Sequence, residues 1–386
     1  MKKLIWIVLV FGCLAYCFAR KYFGRDRIQH ETVIGKLIEF AETDKMEEFK
    51  TTLESNPDSA AVYLNTQGCL FLKKAAISGS LGIVKLLLLE KKIDVNCEES
   101  NALFCAASMG RSELVRFLLQ QGARQRPNGY GRETPLLVAT GTNPAKWVEK
   151  EKYDFSKIDM LSVVKILVEN GADIHALDKN GETAIHKAAF VQNYSIVEFL
   201  LDGKANPDTR DNYGRTPLHQ AAFTNTDNRV CRLLLERGAN SSIKNRTGQT
   251  PILWGHNNID TSTINLFVRY GYKPVGDVDA DGYTLLHRAL GSNQLATFNY
   301  LLERKADINA ATKQGITPFH IAARLRGKEG VDVLATMLLA GARINAVDAS
   351  GHTPLFYISH VVESDHGTYF PDPLIVNFLK EHGAHE

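Results

Sequence analysis

Charge of one sign is scarce in this 386-residue chain: 45 lysines and arginines stand against 43 aspartates and glutamates, a formal net charge of +2. Nucleic-acid binding needs a concentrated basic face, so no nucleic-acid partner is expected. Cysteine is sparse as well. Of the six, Cys13 and Cys17 fall in an N-terminal apolar run, and Cys69, Cys97, Cys105 and Cys231 have neither zinc-ligand spacing nor that of a disulfide framework. Cys231, beside Val230, reads as a small core hydrophobe, and cysteine usage leaves the redox compartment open. Motifs that carry chemistry are missing too: no Gly-x-Ser-x-Gly elbow, no phosphate loop ending in Gly-Lys-Ser/Thr, no His-Glu-x-x-His. Catalytic residues, a cofactor, a metal and a small-molecule substrate are therefore not expected. Composition is otherwise that of a folded protein, 44% hydrophobic and 23% charged.

The N-terminus departs from that composition. Lys2-Lys3 precede an apolar run from Leu4 to Ala19, which stops at Arg20-Lys21. Its length falls between a signal-peptide core of about 7–15 residues and a spanning helix of about 20. Cleavage after Cys17-Phe18-Ala19, lipidation at Cys13 or Cys17 and an uncleaved anchor are all open. Arg20, Lys21, Arg25 and Arg27 resist translocation and favour the anchor, so residues 1–19 are expected to contact a membrane, followed by a basic linker over 20–31. If the segment is cleaved, the rest is exported to a periplasm or secreted.

From Thr32 onward the organising stretch is Asp211 to Asn240: an Asp-Asn-Tyr-Gly-Arg turn, then Thr216-Pro217-Leu218-His219, Ala221-Ala222, a helix carrying Val230, Leu233, Leu234 and Leu235, and Gly238-Ala239-Asn240. A threonine can cap the orphan N–H groups of a helix whose first residue is proline. Paired alanines admit a close neighbour, the leucines form one apolar face, and Gly238 can end the helix in a left-handed conformation. Such a unit cannot hide its leucines alone, and the chain repeats it at a period of about 33 residues. Thr183-Ala184-Ile185-His186-Lys187-Ala188-Ala189, Thr250-Pro251-Ile252-Leu253, Thr284-Leu285-Leu286-His287, Thr317-Pro318-Phe319-His320-Ile321-Ala322-Ala323 and Thr353-Pro354-Leu355-Phe356 continue it. Upstream, Thr134-Pro135-Leu136-Leu137 keeps the pattern, while Asn101–Ala107 and Leu70–Ala76 keep only its core.

These in-register units resemble ankyrin repeats, which carry a Thr-Pro-Leu-His-x-Ala-Ala signature and a closing Gly-Ala, present at Gly122-Ala123, Gly171-Ala172, Gly341-Ala342 and Gly383-Ala384. The resemblance implies an all-α ankyrin-repeat solenoid of stacked helix-turn-helix units with β-hairpin-like fingers, behind the N-terminal hydrophobic segment. The repeat domain is placed at 32–386, with about nine repeats. Ile34, Leu37, Ile38 and Ala41, then Met46, Phe49 and Leu53, mark a helical cap that Asn56-Pro57-Asp58 closes as a turn. Insertions near 141–157, with Trp147, Tyr153 and Phe155, and near 359–373, with His360, His366, Tyr369 and Phe370, enlarge the connections between paired helices.

The recurring His186, His219, His287 and His320 are expected to bond turn backbone, each ordering the finger above its own helix, rather than to bind metal. His352, His360, His366, His382 and His385 are expected in a solvated, irregular loop and tail. Asn193-Tyr194-Ser195, Asn240-Ser241-Ser242 and Asn245-Arg246-Thr247 have the form of glycosylation sequons. Residues just before each signature threonine vary between units, which marks them as solvent-facing. Partner-binding candidates are Lys179, Asn212, Tyr213, Arg215, Arg246, Asp281, Tyr283 and Gln314, joined by Trp147 and Tyr153 of the insertion. By the resemblance, the function is non-catalytic protein binding on the concave face of fingers and first helices. The alternatives are an exported inhibitor or immunity-type protein that occludes a toxin or hydrolase, and an enzyme with a loop-borne site.

Overall fold

Thr216 sits in extended backbone and begins the helix Pro217–Phe223, and Thr216 and His219 form the reciprocal box that satisfies its first donors. Ala221 and Ala222 are fully buried, as close helix packing requires. The return helix Arg229–Glu236 buries Val230, Leu233 and Leu234. It ends at Gly238, at φ 88°, with the Ala239 N–H bonded to the Leu234 carbonyl at 2.9 Å. The expected unit is therefore realised residue by residue.

In this computed structural model the described residues are 33–97, 101–127, 131–141, 158–359, 362–364, 367–369 and 372–386. They form two compact units, Met1–Asp173 and Ile174–Glu386. In Ile174–Glu386 the helix pairs are Ala184–Phe190 with Tyr194–Asp202, Pro217–Phe223 with Arg229–Glu236, and Pro251–Trp254 with Thr261–Arg269. Leu285–Gly291 with Leu295–Glu303, Pro318–Ala322 with Gly327–Leu339, and Pro354–Ser359 with Pro373–Glu381 complete the series. First helices pack on first helices and second on second, so each pair covers the apolar face its predecessor leaves open. The connection before the last helix departs from the irregular loop expected: Val362–Ser364 and Gly367–Tyr369 pair as an antiparallel hairpin, Val362 opposite Tyr369.

Met1–Asp173 is less regular. Its described helices are 33–42, Met46–Glu54, Pro57–Ser78, Leu81–Lys85 continuing as a π-helical turn Leu86–Glu90, Ala102–Ser108 with Ser112–Gln120, and Pro135–Gly141 with Met160–Glu169. Leu37, Ala41, Phe49 and Leu53 are buried, as the cap pattern requires. Pro57 corrects one expectation. It closes no turn but is the first residue of a 22-residue helix, a position where its missing donor costs nothing. The Leu70–Ala76 core is the latter half of that helix. The cysteines correct another, because Cys69 and Cys97 form a disulfide, their Cα atoms 6.1 Å apart, linking the long helix to the segment after the π turn. Sequence spacing cannot reveal this pair, which depends on where that segment folds back. Cys105 and Cys231 are buried free thiols, raised by desolvation to about 11 and about 12. No helix among the described residues is long and apolar enough to cross a membrane. The expected membrane segment, residues 1–19, lies outside them, as does the insertion with Trp147 and Tyr153.

Candidate functional site

Each finger of Ile174–Glu386 is built on one polar pivot. Oδ1 of Asp178, Asp211, Asn245, Asp279 and Asp348 accepts the N–H groups two and four residues on, at 2.8–3.0 Å. Thr312 occupies the same place and accepts from Ile316 N–H at 3.1 Å. A two-way backbone exchange closes the loop; in the central finger, Asp211 N–H bonds the Arg215 carbonyl and Gly214 N–H bonds the Asp211 carbonyl, both at 2.9 Å. Successive fingers are then joined. The N–H groups of Asn212, Arg246, Ala280, Lys313 and Ala349 donate to the carbonyls of Asn180, Tyr213, Thr247, Asp281 and Gln314 at 2.8–3.0 Å. The fingers thus form one hydrogen-bonded row.

The histidines hold that row to the helices. In His186, His219, His287 and His320, Nδ1 accepts the N–H of its own signature threonine at 3.1–3.2 Å, so Nε2 carries the proton. Nε2 donates to the carbonyl of Arg215, Gln249, Ile316 and His352, respectively, at 3.0–3.3 Å. The expectation of a turn-backbone bond holds, but the finger gripped belongs to the following unit, not to the helix's own. Burial pulls His186, His219 and His287 down to about 4, against the opposing pull of those carbonyls, and lowers His320 for the same reason. The Thr250 unit has Leu253 in place of histidine. There Asp277 accepts from Thr250 Oγ1 at 2.6 Å and from Tyr272 at 2.9 Å, a substitute tie.

Of the candidate binding residues, Lys179, Asn212, Tyr213, Arg246, Asp281 and Gln314 are exposed along the row, whereas Arg215 and Tyr283 are half-buried. Tyr213 is 56% exposed. The Tyr283 ring instead packs edge-on to His287 and under the Arg288 guanidinium, 4.7 Å from its centroid. Arg215 is the hub. Its Nε bonds Asp211 at 2.7 Å, and its guanidinium lies 4.8 Å from the Tyr213 ring and 5.8 Å from that of Trp254. Trp254 in turn packs 5.5 Å from Phe223, so cation and rings run from finger tip to helix end. Beside them Glu182 accepts from Gln220 at 2.8 Å and lies 3.5 Å from Arg215; burial raises its carboxyl, with Lys187 acting against it.

Sequence reasoning missed the helix side of this face. Four residues after each signature threonine stand Lys187, Gln220, Trp254, Arg288, Ile321 and Tyr357, and three residues further on in two units stand Phe190 and Phe223, 46% and 39% exposed. The signal was variation at one helical position flanked by a histidine or large apolar residue before it and a small or apolar buried residue after it. Three of these side chains reach back to their own finger pivot: Lys187 to Asp178 at 2.9 Å, Arg288 to Asp279 at 2.5 Å, and Tyr357 to Asp348. The pivots' charge is turned inward by these contacts. Asn245, the third sequon asparagine, is also a buried pivot, which removes it as a glycan acceptor, whereas Asn240 is exposed. His352 stacks on Phe356 with ring centroids 3.7 Å apart. No group of three His, Cys, Asp or Glu side chains among the described residues is placed to hold a metal ion.

Comparison with known proteins agrees with this geometry. The model for ankyrin repeats in three copies matches residues 37–128, 72–149, 155–245 and 224–312, and the single ankyrin repeat model matches 314–349. A putative ankyrin repeat protein of fowlpox virus is 28% identical over 291 residues, covering 72% of this chain and 52% of the relative. Human B-cell lymphoma 3 protein is 32% identical over 142 residues, 36% of this chain and 30% of its own length. A putative ankyrin repeat protein of Rickettsia bellii is 34% identical over 85 residues, 20% and 23% of the two chains. The chain spans about half the length of the viral relative and less of the other two.

Proposed function

The chain belongs to the ankyrin repeat family, whose repeats are protein–protein interaction modules, and from that premise we propose that it is a non-catalytic scaffold whose partner docks on the finger row and the adjoining first-helix face of Ile174–Glu386. The observation that carries this reading is the run Tyr213, Arg215, Trp254 and Phe223. Interface hot spots are enriched in Tyr, Arg and Trp, and here Tyr213 and Arg215 stand on a finger tied to its neighbours while Trp254 and Phe223 end the adjoining first helices. A surface ordered in advance loses little entropy on binding.

The apolar stretch 1–19 supports tethering to a membrane or export across one. The Cys69–Cys97 bond supports the repeats' residence in an oxidising compartment, since disulfides persist there and are rare in reducing cytosol. That observation favours a second reading: an exported inhibitor or immunity-type partner that occludes a toxin or hydrolase. Mass spectrometry of the native N-terminus separates retention from cleavage and lipidation. Co-purification from the native cell then compares Tyr213→Ala/Trp254→Ala with deletion of 146–156. Loss of the wild-type partner on the double substitution is expected for the scaffold; loss only on the deletion would transfer binding to the insertion and favour occlusion.

A further inference from the structure

We infer that the partner presents an acidic segment to the finger row, an inference that rests on the protein-binding reading above. The charges of this face are sorted by depth. Its carboxylate pivots Asp178, Asp211, Asp279 and Asp348 are buried and engaged by backbone N–H groups together with Lys187, Arg215, Arg288 and Tyr357. The tips read differently. In successive fingers, the first residue after the pivot is Lys179, Asn212, Arg246, Ala280, Lys313 and Ala349. Lys179, Arg246 and Lys313 are exposed, and none has a carboxylate partner among the described residues. They fall on alternate fingers, about 20 Å apart if each unit adds one interhelical spacing of about 10 Å. Asp281 is the single acid at the outermost two positions of the row.

Exposed cations with no counter-charge beside them are complemented by carboxylates, whose oxygens only accept. The aromatic run between the first two cationic tips supplies the apolar part of the contact, so the complementary segment interleaves acidic and apolar residues.

A phage-displayed random dodecapeptide library panned on the full chain tests this. The expected yield is peptides rich in Asp and Glu whose affinity falls steeply with salt. In fluorescence anisotropy, K179E/R246E/K313E should weaken them by about tenfold or more, while R116E on the other unit leaves them unchanged. Unaltered thermal melts would show that the exposed tip substitutions leave the fold intact. Neutral or basic peptides lost on Tyr213→Ala/Trp254→Ala would overturn the acidic partner while leaving protein binding at this face standing. Peptides indifferent to both sets of substitutions, or none at all, would sink the protein-binding reading of this face itself. Single-stranded DNA of matched charge competing as tightly as the peptides would mark a general polyanion site and overturn the inference.

Discussion

The two units hold their turns by different means. In Ile174–Glu386 each of the five fingers after the first leans on the one before it through a backbone hydrogen bond, and four of the six first helices add a buried histidine that grips the next finger. In Met1–Asp173 the segment after the π turn is fixed by a covalent bond to the long helix. Asn96 then carries the link onward, donating to the Gly122 carbonyl at 3.0 Å and accepting from Arg124 N–H at 2.8 Å. Where the sequence is periodic, the same weak bond can be repeated from unit to unit. Where it diverges, a single strong constraint replaces the series, so the units should fail under different insults.

Acid should discriminate most. In the folded protein His186, His219 and His287 stay neutral down to about 4, whereas an unfolded histidine takes up its proton below about 6.5. Between those values the unfolded state binds more protons, so the stability these burials contribute is complete above about 6.5 and drains as pH falls toward 4. Each histidine withdraws on the order of 3 kcal/mol across the window. Asp178, held below its usual range because hydrogen bonds from Lys187 and the backbone outweigh burial, adds loss only at still lower pH. No described residue of Met1–Asp173 is a histidine. Limited proteolysis with fragment mapping at pH 7 and pH 4.5 should therefore open Ile174–Glu386 first, and the reverse order would break the contrast.

Reduction should act on the other unit. Cys69→Ser is expected to cost about 3 kcal/mol, since the bond closes a 28-residue span of chain. Amide exchange should rise in Pro57–Ser78 and in 92–97 and stay constant in the fingers. A reductant should reproduce the effect in the wild type and add nothing in the variant. Cys105 and Cys231 offer no competing exchange, because their buried thiols form little thiolate near neutrality.

The contrast also explains what the sequence could disclose. Helix pairs, threonine caps and glycine stops were legible because each depends on residues within one unit, and Thr216, Pro217 and Gly238 specify theirs locally. The histidines were legible only in part. Their backbone bond follows from chemistry, but its partner some 30 residues away follows from how units stack. The Cys69–Cys97 bond and the 22-residue helix stayed hidden because both lie where periodicity fails. At the candidate site, exposed tips could be read from their variation. Trp254, Arg288 and Phe223 gave no such signal, because a first helix shows one variable position among many buried ones.

A glycine pair gives the finest test. Gly315 in a finger and Gly122 after a second helix have similar left-handed backbones, φ +75° and +84°. Alanine at either position carries the same backbone penalty, about 1 kcal/mol. The surroundings differ. A Cβ at Gly122 meets nothing within 4 Å, whereas one at Gly315 would lie 2.8 Å from the Asp348 Cα and 3.0 Å from the Ala349 nitrogen, the donor that joins that finger to Gln314. Backbone cannot rotate aside as a side chain can, so Gly315→Ala should cost about 2 kcal/mol and Gly122→Ala about 1 in chemical denaturation. Equal losses would mean that the fingers separate freely, and the hydrogen-bonded row would then be no more rigid than the turns of the other unit.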